Sequence, residues 1–518
     1  MRMRKAEKDK GKTRHIGAVI FSVSSIILLA KVLGFLKQMY IAKVFGATGE
    51  TDIVFLSQGV VTDLEYLLSQ TMITAFIPIY ISLKSGNEKK EIAFTGKVIT
   101  VFSLITILIS VIIFSFAPYI SHFLAPGYTG DMSSGLTRYI RIYAFTLVFL
   151  LWMAILNALL KANEAFVPGE FISINQSVIF VAVVFIMQGY WGVNSLVISF
   201  FAYVAINCMY LGVCAKQYWS ISALSVKKDE NVVKLLKMMG PLLLGYALLY
   251  INQQVDRILA SGLGDGAVTA LSYSAVLSNF VSGFIGSISG IIFTYVATHV
   301  AEKRHKSAAD LINKMITLFV SVLLPIMILT IANSKEIVTI VYGRGAFDSL
   351  AIENTSNALK GYGFVFVSYA VRELFTRLQY SYQDSKRPMI NSIVSIVINI
   401  VLSISLSKSY GIFGITIASS ISVLCCAVFN IITSRKYNGF FSITYFRSKI
   451  IIWLLGGIGC FYVNSALGRM ITSHPVFIRF VIMCMASVAV YMVIISPIMF
   501  KALKEYKKEN EENCNGKE

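Results

Sequence analysis

The sequence predicts an all-α membrane protein in which about fourteen helices cross the bilayer. Three observations predict this fold class. The 518 residues are 56% hydrophobic and only 14% charged, with a mean hydropathy of +0.71, which is too apolar for an ordinary soluble chain. Apolar segments of spanning length recur along the whole sequence. Lysine and arginine cluster in alternate loops between those segments.

A helix needs about 20 apolar residues to cross about 30 Å of hydrocarbon. The predicted spans lie at residues 16–36, 53–83, 92–116, 137–160, 171–190, 192–214, 235–260, 268–299, 310–332, 358–381, 389–406, 411–432, 449–467 and 476–499. The first apolar segment is too long for a signal peptide and no small-residue cleavage site follows it. The seven cysteines show no C-x-x-C spacing, so we expect neither disulfides nor a metal site.

The net charge of +19 follows the topology of the chain. One set of loops and both termini are basic, whereas residues 117–136 and 261–267 contain no lysine or arginine. Because basic loops stay in the cytoplasm, this pattern predicts a multi-pass membrane protein with both termini in the cytoplasm and an even number of spans. It also removes the reason to expect a nucleic acid partner. The lysines of two of these basic loops are Lys84, Lys89 and Lys90, and Lys216, Lys227, Lys228, Lys234 and Lys237.

The spans group into two predicted lobes of six helices. Tyr40 to Ala47 after the first span resembles Ile258 to Asp265 after the seventh, which indicates an internal duplication. Two matched halves suit a carrier that opens to either side of the membrane in turn. The predicted domains are a basic N-terminus (1–15), an N-lobe (16–215), a cytoplasmic linker (216–234), a C-lobe (235–435), two further helices (448–500) and a charged cytoplasmic tail (501–518).

Ionisable residues at membrane depth are costly, so each should face a cavity or a partner. Lys31 lies about 22 Å along the first span at 1.5 Å per residue. Gly34 and Gln38 share its helical stripe, and Lys37 follows near the outer end. These residues predict a cationic wall suited to a diphosphate. For both lysines the alternative is a side chain that extends to the lipid headgroups.

Three other spans carry charges. The second span contains Asp63 and Glu65, with Ser69 one turn later. Asp256 and Arg257 lie at the end of the seventh span, where Arg257 could close the helix end and Asp256 could reach inward, or either could tie two helices together. In the tenth span, Glu373 and Arg377 have the spacing of an intrahelical pair, and Arg372 is expected to lack a local partner. The charged residues assigned to these three spans are therefore Asp63, Glu65, Asp256, Arg257, Arg372, Glu373 and Arg377.

No enzyme motif stands out in the sequence. The five histidines are scattered, and no Ser/His/Asp or His/Cys cluster can be assembled from span positions. There is no G-x-x-x-x-G-K-[ST] segment and no loop long enough for a nucleotide-binding domain. These features favour a transporter over an enzyme or an ATP-driven pump.

Several collinear motifs resemble the MurJ (MviN) lipid II flippase family. The first is Ala30-Lys31-Val32-Leu33-Gly34-Phe35-Leu36-Lys37, followed by Phe45-Gly46-Ala47 and Thr51-Asp52. Further matches are Ala75-Phe76-Ile77-Pro78, Val255-Asp256-Arg257, Gly345-Ala346-Phe347-Asp348, and Arg377 with Tyr380, Gln383-Asp384-Ser385-Lys386 and Pro388. No single motif decides the resemblance, which depends on their shared order from about residue 16 to 435.

The resemblance implies a carrier of the MOP superfamily, with two lobes around a cationic cavity and a groove for the polyprenyl tail at residues 448–500. It implies that the substrate is a polyprenyl-diphosphate glycan lipid, lipid II first, moved from the inner to the outer leaflet for peptidoglycan synthesis. Alternatives are another polyprenyl-linked repeat unit (capsule, teichuronic acid or O-antigen) and a MATE-like cation-coupled drug exporter. Expected partners are membrane lipids and cell-wall synthesis machinery. No cofactor is expected, and Na⁺ or H⁺ is the candidate coupling ion.

Two of the family's cavity arginines are absent here, since their positions fall at Leu64 or Glu65 and at Val276. Lys31 and Lys37 replace two more, which keeps the charge but loses bidentate phosphate recognition. The residues assigned to the substrate cavity are Lys31, Lys37, Gln38, Asp52, Glu65, Arg257, Arg372 and Arg377. A sodium site of the family corresponds to Asp256, Asn399, Ser403 and Ser419.

Overall fold

The structure is a computed structural model that describes residues 2–84, 90–220, 229–437 and 443–515. Within those ranges the chain forms sixteen α-helices and two short 3-10 helices, and no β-strand. The all-α prediction is therefore confirmed. The predicted basic residues Lys89, Lys227 and Lys228 lie outside the described residues, as do parts of the predicted linker and tail.

The helices follow the predicted spans closely. Their bounds are α1 Arg2–Phe45, α2 Gly49–Lys84, α3 Lys90–Leu124, α4 Gly130–Ala144, α5 Leu147–Ala162, α6 Phe166–Trp191, α7 Asn194–Cys214, α8 Glu230–Ser261, α9 Ala267–Ala301, α10 His305–Ala332, α11 Ser334–Tyr342, α12 Ser349–Gly363, α13 Val365–Ser381, α14 Lys386–Ser434, α15 Ile443–Met470 and α16 Val476–Asn515. The two 3-10 helices are Lys216–Tyr218 and Arg435–Tyr437.

Ten described helices are long and apolar enough to cross a membrane, or eleven when the bent pair α4 and α5 is counted as one span. Two local features account for part of the difference from the larger predicted number. Helix α14 contains two predicted spans, joined at Gly411, whose φ of 55° interrupts the helix. The tenth predicted span is divided between α12 and α13, and α13 has only 17 residues. The chain is thus a polytopic membrane protein.

Side-chain caps fix two of the helix starts. The Asp229 carboxylate accepts a hydrogen bond of 2.8 Å from the backbone N–H of Asn231 at the start of α8. Asp348 does the same for the N–H of Ala351 at the start of α12, also at 2.8 Å. Such caps satisfy backbone donors that the first turn of a helix leaves unpaired. Both aspartates therefore set where a helix begins.

Contacts divide the chain into two compact units. Unit 1 comprises Met1–Thr269 with Gly345–Phe347, and unit 2 comprises Ala270–Arg344 with Asp348–Glu518. Helix α8 thus packs with unit 1, on α2 and α3, although the predicted C-lobe begins at residue 235. The predicted lobe boundaries describe a sequence duplication and remain a prediction.

Unit 1 is held together by pairs of helices that run along each other. Helix α1 packs on α6, α6 on α7, and α2 on α4, α5 and α8. The start of α9 meets α2 inside this unit, where the hydroxyls of Thr51 and Thr269 lie 3.1 Å apart. The first three residues of α9, 267–269, therefore belong to unit 1.

Unit 2 has a core formed by α9, α10, α13, α15 and α16. Polar contacts attach α15 to α10 and to Asn333, the residue that follows α10. Trp453 Nε1 donates a buried hydrogen bond of 2.9 Å to Ser321 Oγ, and Asn464 and Asn333 exchange bonds of 3.1 and 3.0 Å. Because unpaired polar groups are expensive in an apolar core, these bonds also fix the register between the helices.

Candidate functional site

A polar cavity of about 470 Å³ lies inside unit 1, among the spanning helices. Its walls come from α2, α5, α6, α7 and α8. The polar and charged side chains on those walls include Asp63, Glu65, Gln70, Asn157, Lys161 and Glu170. Polar groups inside an apolar bundle are costly to maintain, so a cavity that collects them is the leading candidate for a binding site.

Helix α2 supplies one complete face of the cavity. Thr62, Tyr66, Ser69 and Ile73 line it at steps of three and four residues, with Glu65 beside them. These steps place the side chains on one stripe of a helix. Glu65 and Ser69, one turn apart on α2, both line this cavity.

Asp63 binds two side chains of α8. Arg257 Nη1 lies 2.9 Å from Asp63 Oδ2, and Gln254 Nε2 donates to the same oxygen. Gly59 makes room for this arrangement, because a Cβ atom at that position would lie 2.5 Å from Arg257 Nη1. Arg257 therefore ties α8 to α2, one of the two roles that the sequence allows for it.

A second ion pair lines the cavity. Lys161 Nζ at the end of α5 lies 3.2 Å from Glu170 Oε1 on α6. The two basic side chains near the cavity, Arg257 and Lys161, are thus each neutralised by an acid. Among the residues whose side chains the structure describes, no ion pair joins Glu65. The cavity suits hydroxyl, amide or cationic groups better than a phosphate.

The α1 residues predicted to form a cationic wall occupy different surroundings. Lys31 is exposed. Lys37 is half-buried, with its Nζ 5.1 Å from the centroid of the Phe180 ring on α6. Gln38 is half-buried too, and its Oε1 has no hydrogen-bond partner among the described residues. A cation over an aromatic ring is a favourable contact, so Lys37 also contributes to the packing of α1 on α6.

Asp52 is fully buried at the start of α2. Its Oδ1 accepts a 2.7 Å hydrogen bond from the backbone N–H of Thr269, and the Tyr128 hydroxyl donates to Oδ2 at 3.3 Å. Asp52 thus joins three parts of unit 1 and does not line the 470 Å³ cavity. Its predicted place in a substrate cavity stays a prediction.

The charged residues of α13 pair with one another. Arg372 Nη2 lies 2.9 Å from Glu373 Oε1, and Arg377 Nε lies 3.7 Å from Glu373 Oε2. The expectation that Arg372 lacks a local partner is wrong. A long arginine side chain can bend around the helix to the neighbouring residue, and Arg372 also lies over the Tyr369 ring at 4.7 Å.

The predicted sodium ligands fall in both units. Asn399 Nδ2 donates a 3.0 Å hydrogen bond to Ser419 Oγ, and Ser403 is buried near them on α14. Asp256 belongs to unit 1. Among the described residues no group of three or more His, Cys, Asp or Glu side chains could hold a metal ion. The sodium site remains a prediction.

Sequence reasoning missed Asn157, Lys161, Glu170 and Gln254. Lys161 and Glu170 lie at the end of one span and the start of the next, where charges are ordinary. The signal that could have found them is the short connection between α5 and α6, which brings the two residues onto facing helices. Gln254 could have been found from the sequence, because it is a polar residue inside a predicted span, one turn before Arg257.

Apolar helices around a polar cavity define a polytopic membrane protein of the transporter class. Within that class the chain belongs to the MurJ family. The sequence profile described as lipid II flippase MurJ matches residues 41–474.

Individual relatives agree with the profile. A probable lipid II flippase MurJ of Rickettsia prowazekii is 25% identical over 403 residues, which cover 77% of this chain and 79% of the relative. That of Borreliella burgdorferi is 24% identical over 426 residues, 79% of this chain and 82% of the relative. The match therefore extends over most of each protein.

Solved structures share the fold. A structure named lipid II flippase MurJ, inward closed conformation, aligns with a TM-score of 0.79 at 21% identity and covers 93% of this chain and 99% of its own. An inward-facing multidrug resistance MATE family transporter of the MOP superfamily aligns with a TM-score of 0.66 at 12% identity, covering 80% of this chain and 97% of its own. At these identities the likeness concerns the fold alone.

Proposed function

We propose that this protein is a flippase that moves lipid II, an undecaprenyl-diphosphate-linked precursor, from the inner to the outer leaflet of the cytoplasmic membrane for peptidoglycan synthesis. The observation that carries the proposal is the family match over residues 41–474. It is supported by relatives that are each named probable lipid II flippase MurJ. The protein acts as a transporter and not as an enzyme.

The physical task of a flippase is to shelter a polar headgroup from hydrocarbon. A sugar headgroup with many hydroxyl and amide groups loses its hydrogen bonds with water when it enters the bilayer. The polar cavity of unit 1 offers replacements from Glu65, Gln70 and Asn157. Lys31 and Lys37 are the cations assigned to the diphosphate. In alternating access, such a site is presented to one leaflet and then to the other.

The proposal also includes the orientation of the protein in the membrane and the source of energy for transport. The basic loops support an orientation with both termini in the cytoplasm. Na⁺ or H⁺ drives the cycle, with Asp256, Asn399, Ser403 and Ser419 as the cation ligands. The partners are the polyprenyl-linked substrate, membrane lipids and the cell-wall synthesis machinery that consumes the product.

A second candidate substrate is another polyprenyl-linked repeat unit. It is favoured by the carboxylate of Glu65 in the unit 1 cavity, at a position near which the family carries an arginine. An acid prefers a headgroup rich in hydroxyl or amino groups to one with additional negative charge. The two candidates differ only in the glycan that the cavity accepts.

The test is the rescue of a bacterial strain depleted of its essential lipid II flippase. Growth should be restored, and lipid II should become accessible to a probe added outside the cells. The Glu164→Gln variant, which changes an exposed loop carboxylate, serves as a control for expression and should rescue equally. If a verified membrane-inserted protein leaves lipid II labelling unchanged but restores export in a strain lacking a repeat-unit flippase, the second candidate replaces the first.

A further inference from the structure

A second cavity of unit 1 is an apolar groove of about 900 Å³ between α5 and α7. Its walls are formed mainly by Phe149, Trp152, Leu156, Cys208, Met209 and Val213. Met209 is 64% exposed and Val213 is 73% exposed, so the rim of the groove points away from the helix bundle. An exposed apolar surface of a spanning helix is covered by lipid chains.

One end of the groove has a different chemistry. Lys216 and Trp219 line it just after the end of α7. Trp219 is held in place, since its Nε1 donates a 3.2 Å hydrogen bond to the carbonyl of Gly212 and its ring meets that of Trp152 edge-on at 6.4 Å. Among the described lining residues, Lys216 is the one charged side chain and it is exposed. The groove therefore ends at a cation and an indole ring.

The length of the groove matches one leaflet. Its apolar lining on α7 runs from Ala205 to Val213, about 12 Å at the helical rise of 1.5 Å per residue, and Lys216 follows just after the end of α7. Half of a hydrocarbon core of about 30 Å is close to this value. Tryptophan and lysine are the residues typical of the membrane interface. The apolar part thus spans the depth of a single acyl chain.

We propose that this groove binds an anionic phospholipid of the cytoplasmic leaflet. Its acyl chain lies between Phe149 and Met209, and its phosphate lies at Lys216. A cation at the headgroup end is complementary to an anionic headgroup and gives no advantage to a zwitterionic one. The undecaprenyl tail of a substrate is much longer than the groove. The proposal does not depend on the flippase function, because lipid binding is measured without transport.

The test is photolabelling of the full chain in nanodiscs. Phosphatidylglycerol and phosphatidylcholine, each carrying a diazirine in one acyl chain, are compared by mapping the labelled peptides. Phosphatidylglycerol should label residues 205–213 more strongly than phosphatidylcholine. Lys216→Gln should reduce that preference about fivefold, since one basic residue near an anionic headgroup contributes about that factor to binding.

Matched controls make the test decisive. Lys237→Gln removes another exposed lysine of unit 1 that does not line the groove, and it should leave labelling unchanged. Melting temperatures confirm that both variants are folded. Equal labelling by the two lipids, or the same loss in both variants, overturns the proposal. Displacement of the labelled phosphatidylglycerol by added undecaprenyl phosphate overturns it as well, because the occupant is then the substrate tail.

Discussion

Arg257 on α8 lies 2.9 Å from Asp63 on α2, and each side chain remains partly exposed, at 23% and 13%. The pair borders the polar cavity, because Asp63 is one of its lining residues. A buried pair contributes little net free energy when intact but leaves a costly unpaired charge when one partner is removed. The position of α8 against α2 therefore depends on keeping both residues.

We expect Arg257→Ala to lower the free energy of unfolding by about 2–4 kcal/mol, because the Asp63 carboxylate loses its positive partner and keeps only the hydrogen bond from Gln254. The Asp63→Ala, Arg257→Ala double variant should lose less than the sum of the two single variants, by about 1 kcal/mol or more. Thermal unfolding in detergent measures both effects. Strict additivity of the two single changes would contradict the pairing.

Glu65 is expected to act in the cavity through its charge. Glu65→Gln keeps the shape of the side chain but removes the carboxylate, and we expect transport to fall about tenfold, which corresponds to about 1.4 kcal/mol of lost substrate or ion binding. The measurement is the rate of rescue in the depletion strain at equal expression. Glu164→Gln is the matched control, and equal activity of the two variants would rule out a role for the Glu65 charge.

Lys31 and Lys43 are both exposed lysines of α1, which allows a direct comparison. Lys31→Ala should abolish complementation because a cation of the substrate path is lost, whereas Lys43→Ala, near the end of α1, should keep it. Lys31→Arg preserves the charge and should remain active. Membrane insertion is checked by blotting. Equal complementation by the two alanine variants would refute the assignment of Lys31.

The stability of the fold should depend on pH through the carboxyl group of Asp384. The Tyr437 hydroxyl donates to its Oδ2 at 2.7 Å, Lys436 Nζ lies at the same distance, and Arg387 Nη1 lies at 3.1 Å. The hydrogen bond from Tyr437 and the N–H and charge of Arg387 lower the pKa of the Asp384 carboxyl below its usual value. Since the folded pKa is depressed, this stabilisation is complete above the ordinary pKa of about 4 and is lost as the pH falls through the folded value.

Asp384→Asn should therefore destabilise the chain at pH 7, by about 1–2 kcal/mol for lost bonds to a charged group. The difference in melting temperature between this variant and the wild-type protein should become smaller as the pH is lowered below about 4. Asp310→Asn, at an exposed carboxylate of α10, should leave the profile unchanged. A constant difference between Asp384→Asn and wild type across this range would show that the carboxyl's charge does not stabilise the fold.

The bond between Trp453 and Ser321 should anchor α15 to α10. Ser321→Ala leaves the buried indole N–H unpaired, which costs about 1–3 kcal/mol. Adding Trp453→Phe removes the unpaired donor and should recover part of that loss. Ser405→Ala, at an exposed serine bonded to its own helix, is the control. Thermal unfolding compares the four proteins, and an unchanged Ser321→Ala variant would show that this bond does not hold α15.

The sequence determined most of the architecture. Apolar length and the alternation of basic loops located the helices, because the bilayer accepts only backbone that is internally hydrogen-bonded. The motifs around Lys31, Asp256 and Asp384 identified the family in advance. The sequence also showed that positively charged residues of the family are absent at Glu65 and Val276.

Only the tertiary structure decided which polar groups meet. Asp63 and Arg257 are 194 residues apart, and their pairing depends on how α2 and α8 are rotated about their axes. Hydropathy gives little information about that rotation, since every face of a spanning helix is largely apolar. For the same reason the sequence could not show that Lys161 on α5 pairs with Glu170 on α6. It also could not show that Arg372 bonds to its neighbour Glu373, because that bond depends on the conformation of a long side chain.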